Sequence, residues 1–221
     1  MSDGLQDLLI LTSDPQARAR LAKLRLDMLG AARSASENSE QNRTVVEVLR
    51  DIRERGDEAV AAYTEKFDRV TLRPDEFRVG PDALAAAHAS MDTALLAALR
   101  KAIENVRAYQ AKIFLGHSSA FSDGTGIRYT PIRRAGVCVP GASAPLPSTV
   151  IMTVVPAQVA GVGEIVVATP PGPRGTGSEA ILAAARVAGL DRVFLVGGAQ
   201  AVAALAYGTQ SVPRVFKIVG A

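Results

Sequence analysis

The chain has 221 residues, with 25 lysines and arginines against 22 aspartates and glutamates, 48% hydrophobic residues and no tryptophan, which specifies a folded globular protein and excludes a disordered tail. The formal charge of +3 comes from bases spread along the chain with few aromatics between them, so no nucleic-acid partner is expected. A single cysteine, Cys138, leaves no internal disulfide or cysteine-cluster zinc site, and His88 and His117 alone cannot build a three-histidine metal centre.

Met1 is followed by Ser-Asp-Gly, and the first apolar run, Leu8 to Leu11, is too short for the apolar region of a signal peptide, so a cytoplasmic protein is expected. Two uncharged stretches, 135–163 and 193–213, are interrupted by Pro140, Pro145, Pro147 and Pro156 and by Gly197-Gly198, Gln200 and Gln210. They read as buried α/β core and no membrane span is expected.

Asp14-Pro15 predicts a helix start before Leu21, Leu24 and Met28. Val45, Val48, Leu49 and Ile52 recur at helical spacing up to a stop at Gly56. A second helix follows from Asp57, whose carboxylate is placed to cap it, burying Val60, Tyr63 and Phe67. The acidic and basic run Asp51 to Glu58 reads as a solvated helix face with a cap. Extended pieces are predicted around 70–72 and 77–79, then a helix near 82–89. A longer helix from about Asp92 to Ile113 carries the apolar stripe Leu95, Leu99, Ile103, Val106 and Ile113.

Beyond Arg134 the composition changes. Residues 135–221 hold only Glu164, Arg174, Glu179, Arg186, Asp191, Arg192, Arg214 and Lys217 as charged groups. Strands are predicted at 136–139, 165–168, 193–196 and 215–219, and helices near 149–160, 179–188 and 199–207. That alternation is the βαβ pattern of a parallel sheet covered on both faces. The fold class expected is therefore α/β: a helical N-terminal arm, residues 1–125, followed by a Rossmann-like, doubly wound parallel sheet over residues 126–221.

In such sheets ligands sit beyond the carboxyl ends of the strands, which points to the loops 140–148, 169–177 and 197–200. The turn Gly197-Gly198-Ala199-Gln200 suits close approach of a ligand and opens a helix with anion-binding N–H groups, yet it is not a G-x-G-x-x-G fingerprint and reads equally as a tight turn without a ligand. Ser148 reads as a helix cap or a ligand contact. Cys138 reads as a small strand residue rather than a nucleophile, which would need a cationic neighbour. His88 and His117 read as surface histidines, and Tyr207 as core or as packing against a further part of the molecule.

Three segments carry a resemblance. VVEVLRDIRERGDEAVAAYTEKFDRV (45–70), GIRYTPIRRAGVCVPGASAPLPSTVIMTVVPAQVAGVGEIVVATPP (126–171) and VFLVGGAQAVAALAYGTQSVPRVFKIVG (193–220) resemble the amino-terminal half of histidinol dehydrogenase. The resemblance implies an NAD- and zinc-dependent enzyme of histidine biosynthesis that oxidises L-histidinol to L-histidine in two successive hydride transfers. It implies a Glu-His pair for proton transfer and zinc held by Gln, two His and Asp, all downstream of the segment matching VFKIVG. No catalytic residue and no metal ligand is then expected in these 221 residues, and the chain by itself is expected to be inactive. Gln200 matches a family NAD contact, and its amide both donates and accepts. Cys138 stands where the family has a tyrosine lining the NAD site, Ala142 where it has a second glycine, Phe216 where it has Asp and Ala221 where it has Pro. The family further implies a homodimer, or a complementing carboxyl-terminal half, as partner. An alternative is a non-catalytic dinucleotide-binding or dimerisation module derived from that family.

Overall fold

The computed structural model describes residues 15–26, 40–120, 124–141 and 145–220. The chain divides into two compact units, residues 1–47 and 48–221. In the first, residues 17–26 are helical (α1), with Pro15 in the preceding turn and Leu21 and Leu24 exposed. Asp14 and Met28 lie outside the described residues.

Helix α2 runs Glu40–Arg55 and buries Val48 and Ile52. Helix α3, Asp57–Asp68, follows after one residue. Gly56, at φ 59°, is the residue that lets the chain turn so sharply, since a side chain in that region costs about 1–2 kcal/mol. The expected Asp57 cap is corrected here: Gly56 is the cap position and Asp57 the first helical residue, its carboxylate taken instead by Ser211. Val60 and Tyr63 are buried, whereas Phe67 is exposed and stacks on Tyr63 at 5.7 Å.

A single 3-10 turn, Pro74–Glu76, leads to α4 (Pro81–Ser90) and α5 (Thr93–Ile113). Asp92 caps α5 by accepting from the N–H groups of Ala94 and Leu95. Of the expected stripe Leu99 and Ile103 are buried and Val106 packs against the core, whereas Leu95 and Ile113 are exposed and Leu96 is buried in place of Leu95. The heptad-like count is satisfied by either neighbour, and the packing partner chooses between them. Val70 and Leu72 are buried and Thr71 between them is exposed, yet residues 70–72 form no strand. Residues 77–79 do lie extended along the sheet: Val79 N–H donates to Val193 O at 2.8 Å and Leu195 N–H to Phe77 O at 2.7 Å. This covers an edge that would otherwise offer unpaired backbone groups.

A short antiparallel pair, β1 (Ser119–Ala120) and β2 (Gly126–Ile127), precedes the main sheet. The sheet consists of β3 (Arg134–Cys138), β4 (Glu164–Thr169), β5 (Val193–Leu195) and β6 (Lys217–Gly220), connected by α6 (Pro147–Val159), α7 (Glu179–Val187) and α8 (Gly198–Tyr207). All its pairings are parallel, in the order β5-β4-β3-β6, with Val137 opposite Val167 on one side and Val219 on the other. The α/β reading thus holds. The last strand starts two residues later than expected, because Val215 N–H is bonded to Leu205 O and its side chain is buried below the strand.

Gly136 explains how α8 reaches the sheet: a Cβ there would meet Leu205 and Val215 at 3.1 Å. The core runs from Val60, Phe77 and Leu84 in the helical region to Val137, Val166 and Ile181 in the sheet region, continuous across residue 125. Full burial of one such side chain contributes about 1.5–3 kcal/mol. Among the described residues no helix is long and apolar enough to cross a membrane.

Candidate functional site

The order β5-β4-β3-β6 reverses direction at β3. Chain order climbs outward from β3 through β4 to β5, then α8 carries the chain back to place β6 on the other side of β3. The carboxyl ends of the strands around such a switch point form a natural crevice.

Three loops meet there. A Cβ on Gly141, after β3, would lie 2.6 Å from Thr169 Oγ1 at the end of β4. A Cβ on Gly197, after β5, would lie 2.6 Å from Pro170 Cβ. Neither glycine has positive φ, so each is required by close approach of neighbouring loops. Gly198 differs: its φ is 56°, and Gln200 Oε1 lies 2.8 Å from the place a Cβ would occupy. Helix α8 then starts with no side chain capping it, leaving first-turn N–H groups and the positive end of its dipole at the crevice.

Two side chains at these strand ends are buried with a polar atom that lacks a partner among the described residues. Thr169 is 0% exposed and its Oγ1 is unbonded; Gln200 is 1% exposed and its Oε1 is unbonded. Gln200 Nε2 donates to Asp68 Oδ2 at 3.3 Å, and desolvation raises the Asp68 carboxyl above its usual range, with the Gln200 amide pulling the other way. Sequence reasoning singled out Gln200 and the loop that begins at Thr169 but missed Asp68. The only available signal for Asp68 was its position at the end of a helix, where a carboxylate opposes the dipole.

Cys138 ends β3, opposite Ala168 and Gly220. It is half-buried, and burial pushes its thiol up, the opposite of what a nucleophile needs. Ser148 is exposed at the second position of α6, where Leu146 occupies the cap position, so the expected Ser148 cap is not formed. Ala142 and Ala221 lie outside the described residues.

The histidines are elsewhere. His88 Nε2 lies 3.2 Å from Arg100 Nη2 in a cleft of about 560 Å³ also lined by Arg186, and His117 sits edge-on to Phe114 at 5.2 Å. The run Asp51 to Glu58 is more tied than a merely solvated face: Asp51 accepts from Tyr63 at 2.9 Å and from Arg55 at 3.1 Å, and the tyrosine hydroxyl above all holds its carboxyl below the usual range. Among the described residues no group of three or more His, Cys, Asp or Glu side chains is placed to hold a metal ion.

A family model described as histidinol dehydrogenase matches residues 31–221. This chain belongs to the histidinol dehydrogenase family. It is 46% identical over 199 residues to the histidinol dehydrogenase of Pseudomonas savastanoi pv. phaseolicola, covering 88% of this chain and 44% of that protein. It is 44% identical over 217 residues to the one from Cupriavidus pinatubonensis, covering 95% and 47%. The crystal structure of histidinol dehydrogenase from Elizabethkingia anophelis superposes with a TM-score of 0.74 at 33% identity, covering 83% of this chain and 42% of that one. The chain therefore spans about half the length of the curated relatives it matches. Tyr207, expected as core or packing, is 42% exposed, and Met152 and Phe216 are exposed by 67% and 64%.

Proposed function

We propose that this chain forms the dinucleotide-binding part of an NAD-dependent histidinol dehydrogenase acting in histidine biosynthesis, in the cytoplasm. The match to the family over residues 31–221 carries the reading. The strand-end crevice supports it: the uncapped start of α8 suits a phosphate or hydroxyl, and the orphaned Gln200 Oε1 is an acceptor in search of a donor.

NAD fits this arrangement. When bound, it supplies the hydride acceptor for an alcohol. The chain's own part is binding and orientation: Gly197 and Gly198 leave room for close approach, the first turn of α8 offers donors, and Gln200 offers an acceptor. Zinc does not fit the described residues, which bring together no group of three or more His, Cys, Asp or Glu side chains. The proton-transfer pair and zinc ligands that the family uses are proposed to come from polypeptide outside these 221 residues, which leaves the chain alone without turnover of L-histidinol. Exposed Met152, Phe216 and Tyr207 support a partner surface, filled by a complementing half or a second copy in a homodimer.

A second reading, a non-catalytic dinucleotide-binding or dimerisation module, is favoured by Cys138, which puts a small raised-pKa thiol where the family has an aromatic ring. Calorimetric titration of NAD into the chain, paired with an NADH-absorbance assay on L-histidinol with and without zinc, tests both. Saturable binding without NADH is expected. Absence of binding sinks the dinucleotide reading, and NADH formed in proportion to chain sinks the assignment of catalysis to other polypeptide.

A further inference from the structure

We propose that Asp68 is the positioning residue of the dinucleotide site, fixing the Gln200 carboxamide so that its oxygen is held as an acceptor beneath the Gly197–Ala199 turn. The inference rests on the reading of that turn as a dinucleotide site.

Three local costs converge on this pair. Gln200 is 1% exposed with Oε1 unbonded, and an unsatisfied buried acceptor is destabilising. Asp68 is the last residue of α3, where its charge opposes the helix dipole, and it is partly desolvated as well. Arg69, next to it, has φ 58°, the one non-glycine residue with positive φ among those described. An apolar residue at 200 would pack without the first of these costs. Departures of this kind concentrated at one point mark a site whose use lies beyond stability.

The geometry states what the use is. A carboxylate only accepts, so Asp68 Oδ2 at 3.3 Å selects the Nε2 end of the amide and turns Oε1 away from itself. Oε1 then lies 2.8 Å from the vacant Cβ place of Gly198, a residue that is itself exposed. Any side chain at 198 would displace the amide. The ligand group recognised is therefore a donor, an N–H or O–H such as a ribose hydroxyl or the nicotinamide amide, reached by a small backbone shift that Gly197 and Gly198 permit. Asp68 does not touch the ligand; it acts through Gln200 and ties α3 to the opening of α8.

The test is NAD calorimetry on the 221-residue chain with Asp68→Asn and Asp68→Leu, and melting temperatures on the same samples. Asn keeps a carbonyl that accepts from Nε2, so its dissociation constant is expected to stay within about twofold of the parent, whereas Leu releases the amide and weakens binding about tenfold. Should Asp68→Leu not fold, Asp68→Ser, too short to reach Nε2, takes its place. Equal affinity of the Leu or Ser variant and the parent overturns the proposal, as does equal weakening by Asn and Leu in step with lower melting. If the parent chain itself binds no NAD, the reading of the site fails and the proposal with it.

Discussion

Ser211 Oγ donates to Asp57 Oδ2 at 2.6 Å, joining the first turn of α3 to the loop that leads into β6, residues 154 apart in sequence. Gln210 accepts from Asp57 N–H at 2.9 Å alongside it. The Asp57 carboxylate is buried and its Oδ1 is already without a partner among the described residues. Replacing Ser211 by Ala is expected to destabilise the fold by about 1–3 kcal/mol. The check is the urea midpoint, which should fall while the slope stays unchanged.

Thr169 gives an expectation of opposite sign. Its hydroxyl is fully buried without a partner, so Thr169→Val removes an unsatisfied group at nearly constant shape and is expected to stabilise the chain by up to about 1 kcal/mol. A melting temperature below the parent's would show that Oγ1 has a partner in solution.

Asp68 sets a pH dependence. Its folded carboxyl is raised, so the stability it contributes is complete below the unfolded range near 3.8 and is lost as pH rises through the folded value. Asp68→Asn is therefore expected to melt above the parent at neutral pH, with the gap closing as the pH approaches 4. A gap that widens on acidification would reverse the sign of the shift.

Cys138 is expected to alkylate slowly at neutral pH, well below the rate of the same thiol in the urea-unfolded chain, because burial keeps it protonated and half covered. Iodoacetamide labelling followed by intact mass measures the ratio directly. Labelling as fast as in the unfolded chain would place Cys138 on an open surface.

Much of this molecule was legible before any coordinates. The charge step near Arg134 and the spacing of apolar runs gave the four sheet strands to within two residues, and the buried β3, β4 and β5 were plainest because a strand covered on both faces is apolar along most of its length. The helix start near Asp92 and the stop at Gly56 were equally plain, since such signals are local. Where two adjacent residues satisfy one helical period, as Leu95 and Leu96 do, the pattern alone does not choose, and the neighbour that buries one of them does.

The sequence by itself determined the fold class, the family and the glycine turn that opens α8, all of which reside in local pattern and in contiguous strings. Only the tertiary structure decided that β6 returns beside β3, that Asp57 bonds Ser211 instead of capping its own helix, and that Gln200 is withdrawn from solvent onto Asp68. Those are contacts between residues more than 75 positions apart, and no local periodicity encodes which of several polar groups a buried amide or carboxylate will meet.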